Sequence, residues 1–166
     1  GGLIGSALVL WLYSKHHKLS FLTLTDTLVL PGAAALVLGR VANFLNGELL
    51  GPVTSVPWCV SLPNIIGCRH PSPLYEALYS LVIVGVIAWM AYASSKKWKP
   101  GTLLGVFLTA YGALRFIANF WREDVRYLGL STGQYLSIVT FLVGIALLVW
   151  LYTREPPTTG THKKSR

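Results

Sequence analysis

Three stretches of this chain, residues 77–95, 101–121 and 128–153, hold a single charged side chain among them, Arg115. About 20 mostly apolar residues is the length at which a helix crosses a bilayer. Two further runs extend the pattern. Residues 1–14 carry no charge, and residues 19–39 carry only Asp26 before continuing through Arg40 to Asn46. Each run is continuous, with no polar/apolar alternation, so helices are expected rather than strands. Charged residues make up 12% of the 166 positions, against about 25% in a soluble domain. That excludes a soluble globular domain, a disordered chain, a coiled coil and a nucleic-acid-binding module. The expected fold is all-α, a polytopic membrane helix bundle with five spans in residues 1–153, the first of them short. Residues 154–166 form a polar, basic tail, expected to be disordered and cytoplasmic.

Helix punctuation agrees with these spans. Thr25-Asp26 is expected to cap the second, and Ser72-Pro73 offers a cap and a first-turn proline for the third. Lys99-Pro100-Gly101 breaks the chain before the fourth, and Ser131-Thr132-Gly133 opens the fifth. Pro31-Gly32 is expected to kink the second span. The small residues Gly32, Ala33, Ala34, Ala35 and Gly39 are expected to let a neighbouring helix approach it closely.

Loop charges orient the bundle. Consecutive loops fall on alternate sides. One side receives nine bases: Lys15, Lys18, Lys96, Lys97, Lys99, Arg154, Lys163, Lys164 and Arg166. The other receives three: Arg69, Arg122 and Arg126. An excess of Lys and Arg marks the cytoplasmic side. The C-terminus is therefore expected in the cytoplasm and Gly1 near the outer face. The net charge of +8 reports this asymmetry and not a nucleic-acid partner.

Two arginines interrupt apolar runs. A charge at membrane depth costs about 2.5–3.5 kcal/mol on insertion scales, and such residues face the protein interior. Arg40 lies near the outer end of the second span, Arg115 near the outer end of the fourth, and Glu76 in the first outer turns of the third. Arg115, Asn119 and Arg122 follow i, i+4, i+7 spacing and share a helix face. Arg40, Asn43 and Gly47 share another, with Glu48 to one side. A guanidinium fork makes two parallel hydrogen bonds to a phosphate. Two readings follow: a pocket for an anionic phospholipid head group, or ion pairs of the arginines with Glu48 and Glu76 that hold helices together.

The loop 47–72 carries Gly51, Pro52, Pro57, Trp58 and Pro63. It reads as an outer interfacial segment, with a substrate gate and a plain connector both open. Cys59 and Cys68 lie in it, and a disulfide and two buried free thiols both fit an outer compartment. His70 fits helix-entry packing or a proton carrier; His16 and His17 read as interfacial residues among lysines. No Ser/His/Asp set, glycine-rich phosphate loop or metal-ligand cluster is visible, and no cofactor is implied.

Residues 39–51, Gly-Arg-Val-Ala-Asn-Phe-Leu-Asn-Gly-Glu-Leu-Leu-Gly, closely resemble the signature of the bacterial prolipoprotein diacylglyceryl transferases. Residues 69–76, Arg-His-Pro-Ser-Pro-Leu-Tyr-Glu, are similar to that family's R-H-P-S-x-L-Y-E stretch. Tyr111-Gly112-Ala113-Leu114-Arg115-Phe116 resembles its Y-G-x-x-R-F stretch, and Thr132-Gly133-Gln134 fits a smaller motif. The resemblance implies a seven-span enzyme of the bacterial cytoplasmic membrane, with its site toward the outer face. The implied reaction moves the diacylglyceryl group of phosphatidylglycerol to the lipobox cysteine thiol of a prolipoprotein, forming a thioether and releasing glycerol phosphate. Five spans would then leave two upstream. Gly1–Gly5 resembles the family's H-G-G-L-I-G segment just after its histidine, a proposed catalytic residue. The isolated chain is expected to be inactive for that reason.

By the same resemblance Arg40 and Arg115 are the catalytic residues, binding the head group and stabilising charge on the departing phosphate. Asn43, Glu48, Gly51, Glu76 and Tyr111 fall on functional positions of the motifs, with Asn119 and Arg122 on the arginine stripe. Asn119 stands where the family commonly has glutamate, so a charge partner is lost there. The implied partners are phosphatidylglycerol, a prolipoprotein signal peptide and the lipid bilayer. The rival readings are an anionic-lipid binding or transport protein without chemistry, and a structural membrane subunit.

Overall fold

The structure is a computed structural model that describes residues 2–63, 65–94 and 97–153. The tail 154–166 and Lys96, both used in the charge count, lie outside the described residues. Five α-helices form the chain: α1 (Gly2–His16), α2 (Phe21–Leu45), α3 (Ser72–Ala88), α4 (Thr102–Ala118) and α5 (Thr132–Thr153). A π-helical turn, Trp89–Ala93, prolongs α3, and a 3-10 turn, Asn119–Trp121, prolongs α4. A small hairpin pairs β1 (Arg126–Tyr127) with β2 (Leu130–Ser131) just before α5. The all-α expectation holds apart from this hairpin and two isolated bridges in the 47–71 loop.

Four helical segments are long and apolar enough to cross a membrane: Phe21–Leu45, Ser72–Ala93, Thr102–Trp121 and Thr132–Thr153. The chain is a multi-pass membrane protein. Four of the five expected spans reach that length among the described residues; the first, expected to be short, is the 15-residue α1 within this sequence.

Polar contacts fix the up-down order. At one end the start of α2 meets the start of α4, and the Lys99 ammonium donates to the Leu151 carbonyl at the end of α5 (2.7 Å). At the other end the last turns of α2 and α4 meet the first turn of α3 and the start of α5. The alternation of sides read from the loop charges is the alternation observed. Between the ends, Val29, Ile83 and Ile87 form the buried centre, with Leu104, Phe107 and Leu114 packed on it.

Of the small residues of α2 expected to admit a neighbour, Ala33 is buried in the core, but the glycines are not part of a seam. A Cβ on Gly32 or Gly39 would meet nothing within 4 Å, so these glycines of α2 face open space. The tight seam is α4 against α5. A Cβ on Gly112 would lie 2.6 Å from the Phe141 nitrogen, and one on Gly144 would lie 2.6 Å from the Thr109 nitrogen. Helix association inside a membrane rests on such backbone proximity, because lipid supplies no hydrophobic drive between helices.

Two caps differ from expectation. The helix α2 begins five residues before Asp26, with Ser20 as its N-cap and the Thr23 N–H directed at the Ser20 hydroxyl (3.5 Å). Asp26 instead caps another helix: its carboxylate accepts from the Gly101 N–H (2.7 Å) and the Leu104 N–H (2.8 Å) at the start of α4. Ser72 does not cap α3, whose N-cap is Pro71 with no side-chain bond; its hydroxyl donates to the Trp121 carbonyl. Ser131 opens α5 as expected, in a reciprocal box. The Gln134 N–H donates to its hydroxyl (3.1 Å) and its own N–H donates to the Gln134 side-chain oxygen (2.9 Å).

Asp26 therefore holds two spans together through orphan N–H groups that have no other helical partner. Asp26→Ala should cost about 1–2 kcal/mol, read as a lower unfolding temperature in detergent micelles. Asp26→Asn, which still accepts hydrogen bonds, should lose less.

Candidate functional site

Three arginines from two helices and the turn beyond converge on one carboxylate. Glu76, one turn into α3, is 1% exposed. Its Oε2 lies 2.8 Å from the Arg40 Nε, contributed by the last turns of α2. The same oxygen accepts from an Arg115 Nη at the end of α4. Its Oε1 accepts from Arg122 Nη1 at 3.1 Å. Arg122 is also held by Asp124, with Nε to Oδ2 at 3.0 Å and Nη2 to Oδ1 at 3.2 Å. Burial alone would lower the pKa of Arg122. The hydrogen bonds to Asp124 and Glu76 outweigh burial and raise it, so the cation stays charged.

Three guanidiniums face two carboxylates, which leaves a net charge of one positive unit. Arg40 is only ion-paired through Nε and makes no directed hydrogen bond among the described residues. A cluster so arranged keeps an anion-binding capacity after its internal pairs are made, with fork geometry suited to a phosphate.

The remaining expected residues divide. Glu48 is exposed and forms no ion pair among the described residues, so Glu76 alone of the two proposed carboxylates serves the arginines. The chain leaves α2 at Asn46 and turns through Gly47 with φ +69°, which carries Glu48 off the Arg40 face. The Asn43 carbonyl accepts the Glu48 N–H (2.8 Å) and so shapes that exit. Gly51 is a docking point of the loop. Its N–H donates to the His70 carbonyl (2.9 Å), and a Cβ there would lie 2.8 Å from the His70 Cβ and collide with the Trp121 carbonyl and the Ser72 hydroxyl. Tyr111 stacks on Phe107 (ring centroids 5.6 Å apart) and meets Tyr79 edge-on (6.1 Å), one turn below Arg115.

Asn119 keeps the i, i+4 step from Arg115, since its N–H still bonds the Arg115 carbonyl as α4 ends at Ala118. The 3-10 turn alters the spacing only beyond it, toward Arg122. Yet Asn119 makes no side-chain hydrogen bond to either arginine. Its side chain is 2% exposed and packs over Gly133 at the start of α5. Neither its Oδ1 nor its Nδ2 has a hydrogen-bond partner.

The outer loop is stapled over this end of the bundle. Cys59 and Cys68 are disulfide-bonded with their Cα atoms 5.4 Å apart, which decides between the two open readings. The Arg69 guanidinium donates to the Gly51 carbonyl (3.1 Å) and the Ile66 carbonyl (3.3 Å) and pairs with Glu123. The Trp58 indole donates to the Tyr75 hydroxyl (2.8 Å), which lies 3.1 Å from His70 Nδ1. His70 thus sits at the helix entry and also lines a cavity of about 430 Å³ with Trp58, Tyr75, Tyr79, Leu114 and Trp121. Asp124, Arg69 and Tyr79 were not among the expected site residues. Asp124 lies two residues beyond Arg122 and Tyr79 three beyond Glu76, and that proximity to a named charge was the available signal. Among the described residues no group of three His, Cys, Asp or Glu is placed to hold a metal.

The sequence model of the prolipoprotein diacylglyceryl transferase family matches residues 1–150. A phosphatidylglycerol–prolipoprotein diacylglyceryl transferase of Chromohalobacter salexigens is 40% identical over 172 residues, covering 99% of this chain and 63% of the relative. The protein of the same name from Cupriavidus necator is 39% identical over 166 residues, covering 94% of the chain and 59% of the relative. That from Erythrobacter litoralis is 38% identical over 174 residues, covering 99% and 61%. The chain thus spans about 60% of the length of the curated relatives it matches.

Removing Glu76 would leave three guanidiniums crowded without their shared counter-charge. Glu76→Ala should destabilise the bundle by about 3–5 kcal/mol, the range seen when one partner of a buried pair is deleted. Thermal unfolding in detergent measures it, and Glu48→Ala should leave the unfolding temperature unchanged.

Proposed function

Because the chain belongs to the prolipoprotein diacylglyceryl transferase family, we propose that its arginine cluster cradles the phosphate of phosphatidylglycerol during transfer of the diacylglyceryl group to a cysteine thiol. The observation that supports this most is the convergence of Arg40, Arg115 and Arg122 on the single buried carboxylate of Glu76, with one positive charge left over.

In the proposed reaction the thiolate of the lipobox cysteine attacks the glycerol carbon that carries the phosphate. The new carbon–sulfur bond is a thioether. The carbon–oxygen bond breaks, its electron pair goes to the phosphate oxygen, and glycerol phosphate departs. A free thiol has a pKa of about 8.5, so the positive field of the cluster also favours the attacking thiolate. Negative charge grows on the departing phosphate, and fixed cations in a water-poor site stabilise that growth more than they stabilise the bound lipid. Glu76 orients the guanidiniums, so they need no rearrangement as the charge moves. Arg40 and Arg115 are the residues assigned to phosphate contact, with Arg122 as the more heavily paired third cation. We assign Asn43, Gly51 and Tyr111 to shaping the site. We place this end of the bundle toward the outer face of the bacterial cytoplasmic membrane, since the lysine-rich end carries the cytoplasmic charge signature.

The test uses the full-length protein in phosphatidylglycerol vesicles with a lipobox peptide. Arg40→Ala and Arg115→Ala should each lower the transfer rate at least about 100-fold, followed as the mass gain of the peptide and the release of glycerol phosphate. Retained lipidation by both variants would overturn the phosphate-cradle assignment. A protein that only binds lipid would retain phosphatidylglycerol and release no glycerol phosphate.

A further inference from the structure

The hairpin just before α5 ends in a residue that suits neither its backbone nor water. Leu128 and Gly129 form the loop between β1 and β2, with φ +50° and +84°. Positive φ at both positions of such a loop is the requirement of a type I′ turn, normally met by Asn-Gly. A leucine is disfavoured in that left-handed conformation. Leu128 is also 98% exposed, so it gains no packing from the described residues in return. Strain of this kind persists where something beyond the local backbone rewards it. Val125 and Tyr127 are exposed as well, so three apolar side chains stand outward along one short stretch of chain.

Position identifies what covers them. The Tyr135 hydroxyl donates to the Tyr127 carbonyl (3.0 Å). Side chains of a helix lean toward its N-terminus, so this bond holds β1 beside the first turn of α5, at the level where that span enters the bilayer. It also fixes the side. Tyr135 heads an exposed apolar stripe of α5 with Leu136, Val139, Leu142 and Val143, spaced as one face of a helix. On a membrane span such a face meets acyl chains. The hairpin therefore overhangs lipid rather than the centre of the bundle. Arg126 is exposed and forms no ion pair among the described residues, and a long basic side chain can lay its stem along lipid while its charge stays at the head groups.

We propose that the hairpin tip is an interfacial anchor in the leaflet at the arginine end of the bundle. Leu128 inserts among the upper acyl methylenes, Tyr127 lies at head-group depth as tyrosines at membrane interfaces do, and the Arg126 charge reaches back to the head groups. Removal from water supplies the reward that an exposed leucine lacks. The anchor also acts on the neighbouring site. Arg122 and Asp124 lie between the end of α4 and β1, so a pinned tip holds that segment at head-group level. Anchoring of this kind requires only a membrane-spanning bundle and is independent of what the arginine cluster binds.

The experiment places a nitroxide at the tip in the full-length protein, reconstituted in phosphatidylglycerol vesicles. Cys59 and Cys68 are disulfide-bonded, so with serine at any other cysteine Leu128→Cys offers a single thiol to label. Power saturation compares collisions with oxygen, which concentrates in lipid, and with a water-soluble nickel complex. The label should meet mainly oxygen, as should a reference label at Leu142→Cys on the stripe. A label at 128 that meets nickel as freely as the same nitroxide on glutathione in the buffer would overturn the anchor. So would shielding that appears only when a lipobox peptide is added, because the occupant would then be the peptide. Val125→Cys covers the case in which Leu128→Cys does not fold. Its label should be shielded from nickel, and adding Leu128→Asn, which suits the turn, should abolish that shielding. An unchanged reading at 125 would show that Leu128 does not hold the tip and would equally overturn the proposal. Leu128→Asn should unfold in detergent at the wild-type temperature or above it; a fall would assign the leucine to internal packing instead.

Discussion

The Glu76 carboxylate is the group on which the arrangement at one end of the bundle depends. A carboxylate 1% exposed has little water to solvate its charge, and three guanidiniums cannot crowd together without an anion. Each makes the other tolerable. Because Arg40 comes from α2, Arg115 from α4 and Arg122 from just beyond α4, satisfying Glu76 fixes how far each helix slides along its neighbour. A buried ion pair is weak evidence of net stability, since desolvation offsets much of the attraction. Its contribution here is register. Ion pairing that holds helices and the proposed anion site are compatible, since the carboxylate that locks the arginines in place also aims them.

The opposite end is fixed by a different device that achieves the same thing. Asp26 accepts two N–H bonds from the first turn of α4, and Lys99 reaches the last turn of α5. Between the two ends there is little but apolar packing and the glycine-lined seam of α4 on α5. Polar contacts are therefore concentrated at the two water-facing levels, and the middle is left to van der Waals contact, as a bilayer requires. An arginine cluster at one such level can reach a lipid head group without any charge crossing the hydrocarbon core.

Much of this was legible in the residues, and what was not has a common cause. Uncharged runs gave the spans because hydrocarbon admits little else, and alternation of loop charges gave the order of the ends. The collection of Arg40, Arg115 and Glu76 at one level followed from their distance to the span ends. Periodicity gives the face of a residue on its own helix and says nothing of what that face meets. Of the small residues 32–35 and 39 in α2, Ala33 is buried while Gly32 and Gly39 face open space, and the glycine-lined seam runs instead through Gly112 and Gly144. Asp26 looked like a cap for its own helix and caps a neighbour. The i, i+4 step from Arg115 to Asn119 holds along the backbone, and only the continuation to Arg122 runs through a 3-10 turn that the spacing did not foresee. Glu48 lies to one side of the Arg40 face, as the spacing implied, and a left-handed glycine before it carries it clear of an ion pair among the described residues. Cys59 and Cys68 were ambiguous because chain spacing permits a disulfide without requiring one.

The charge balance bears on what the site accepts. Three arginines against Glu76 and Asp124 leave one positive charge, and a phosphodiester carries one negative charge. Binding a monoanionic lipid would bring the cluster to neutrality in a medium where unbalanced charge is most costly. A zwitterionic head group would bring its own cation toward Arg40 and Arg122 and lose that advantage. Asn119 does not disturb this balance. It is an uncharged amide turned toward Gly133, whereas a carboxylate aimed at the arginines from that position would cancel the residual charge. On the proposed reading, head-group preference would follow from a count, three guanidiniums to two carboxylates, held at one depth by the helices that end there.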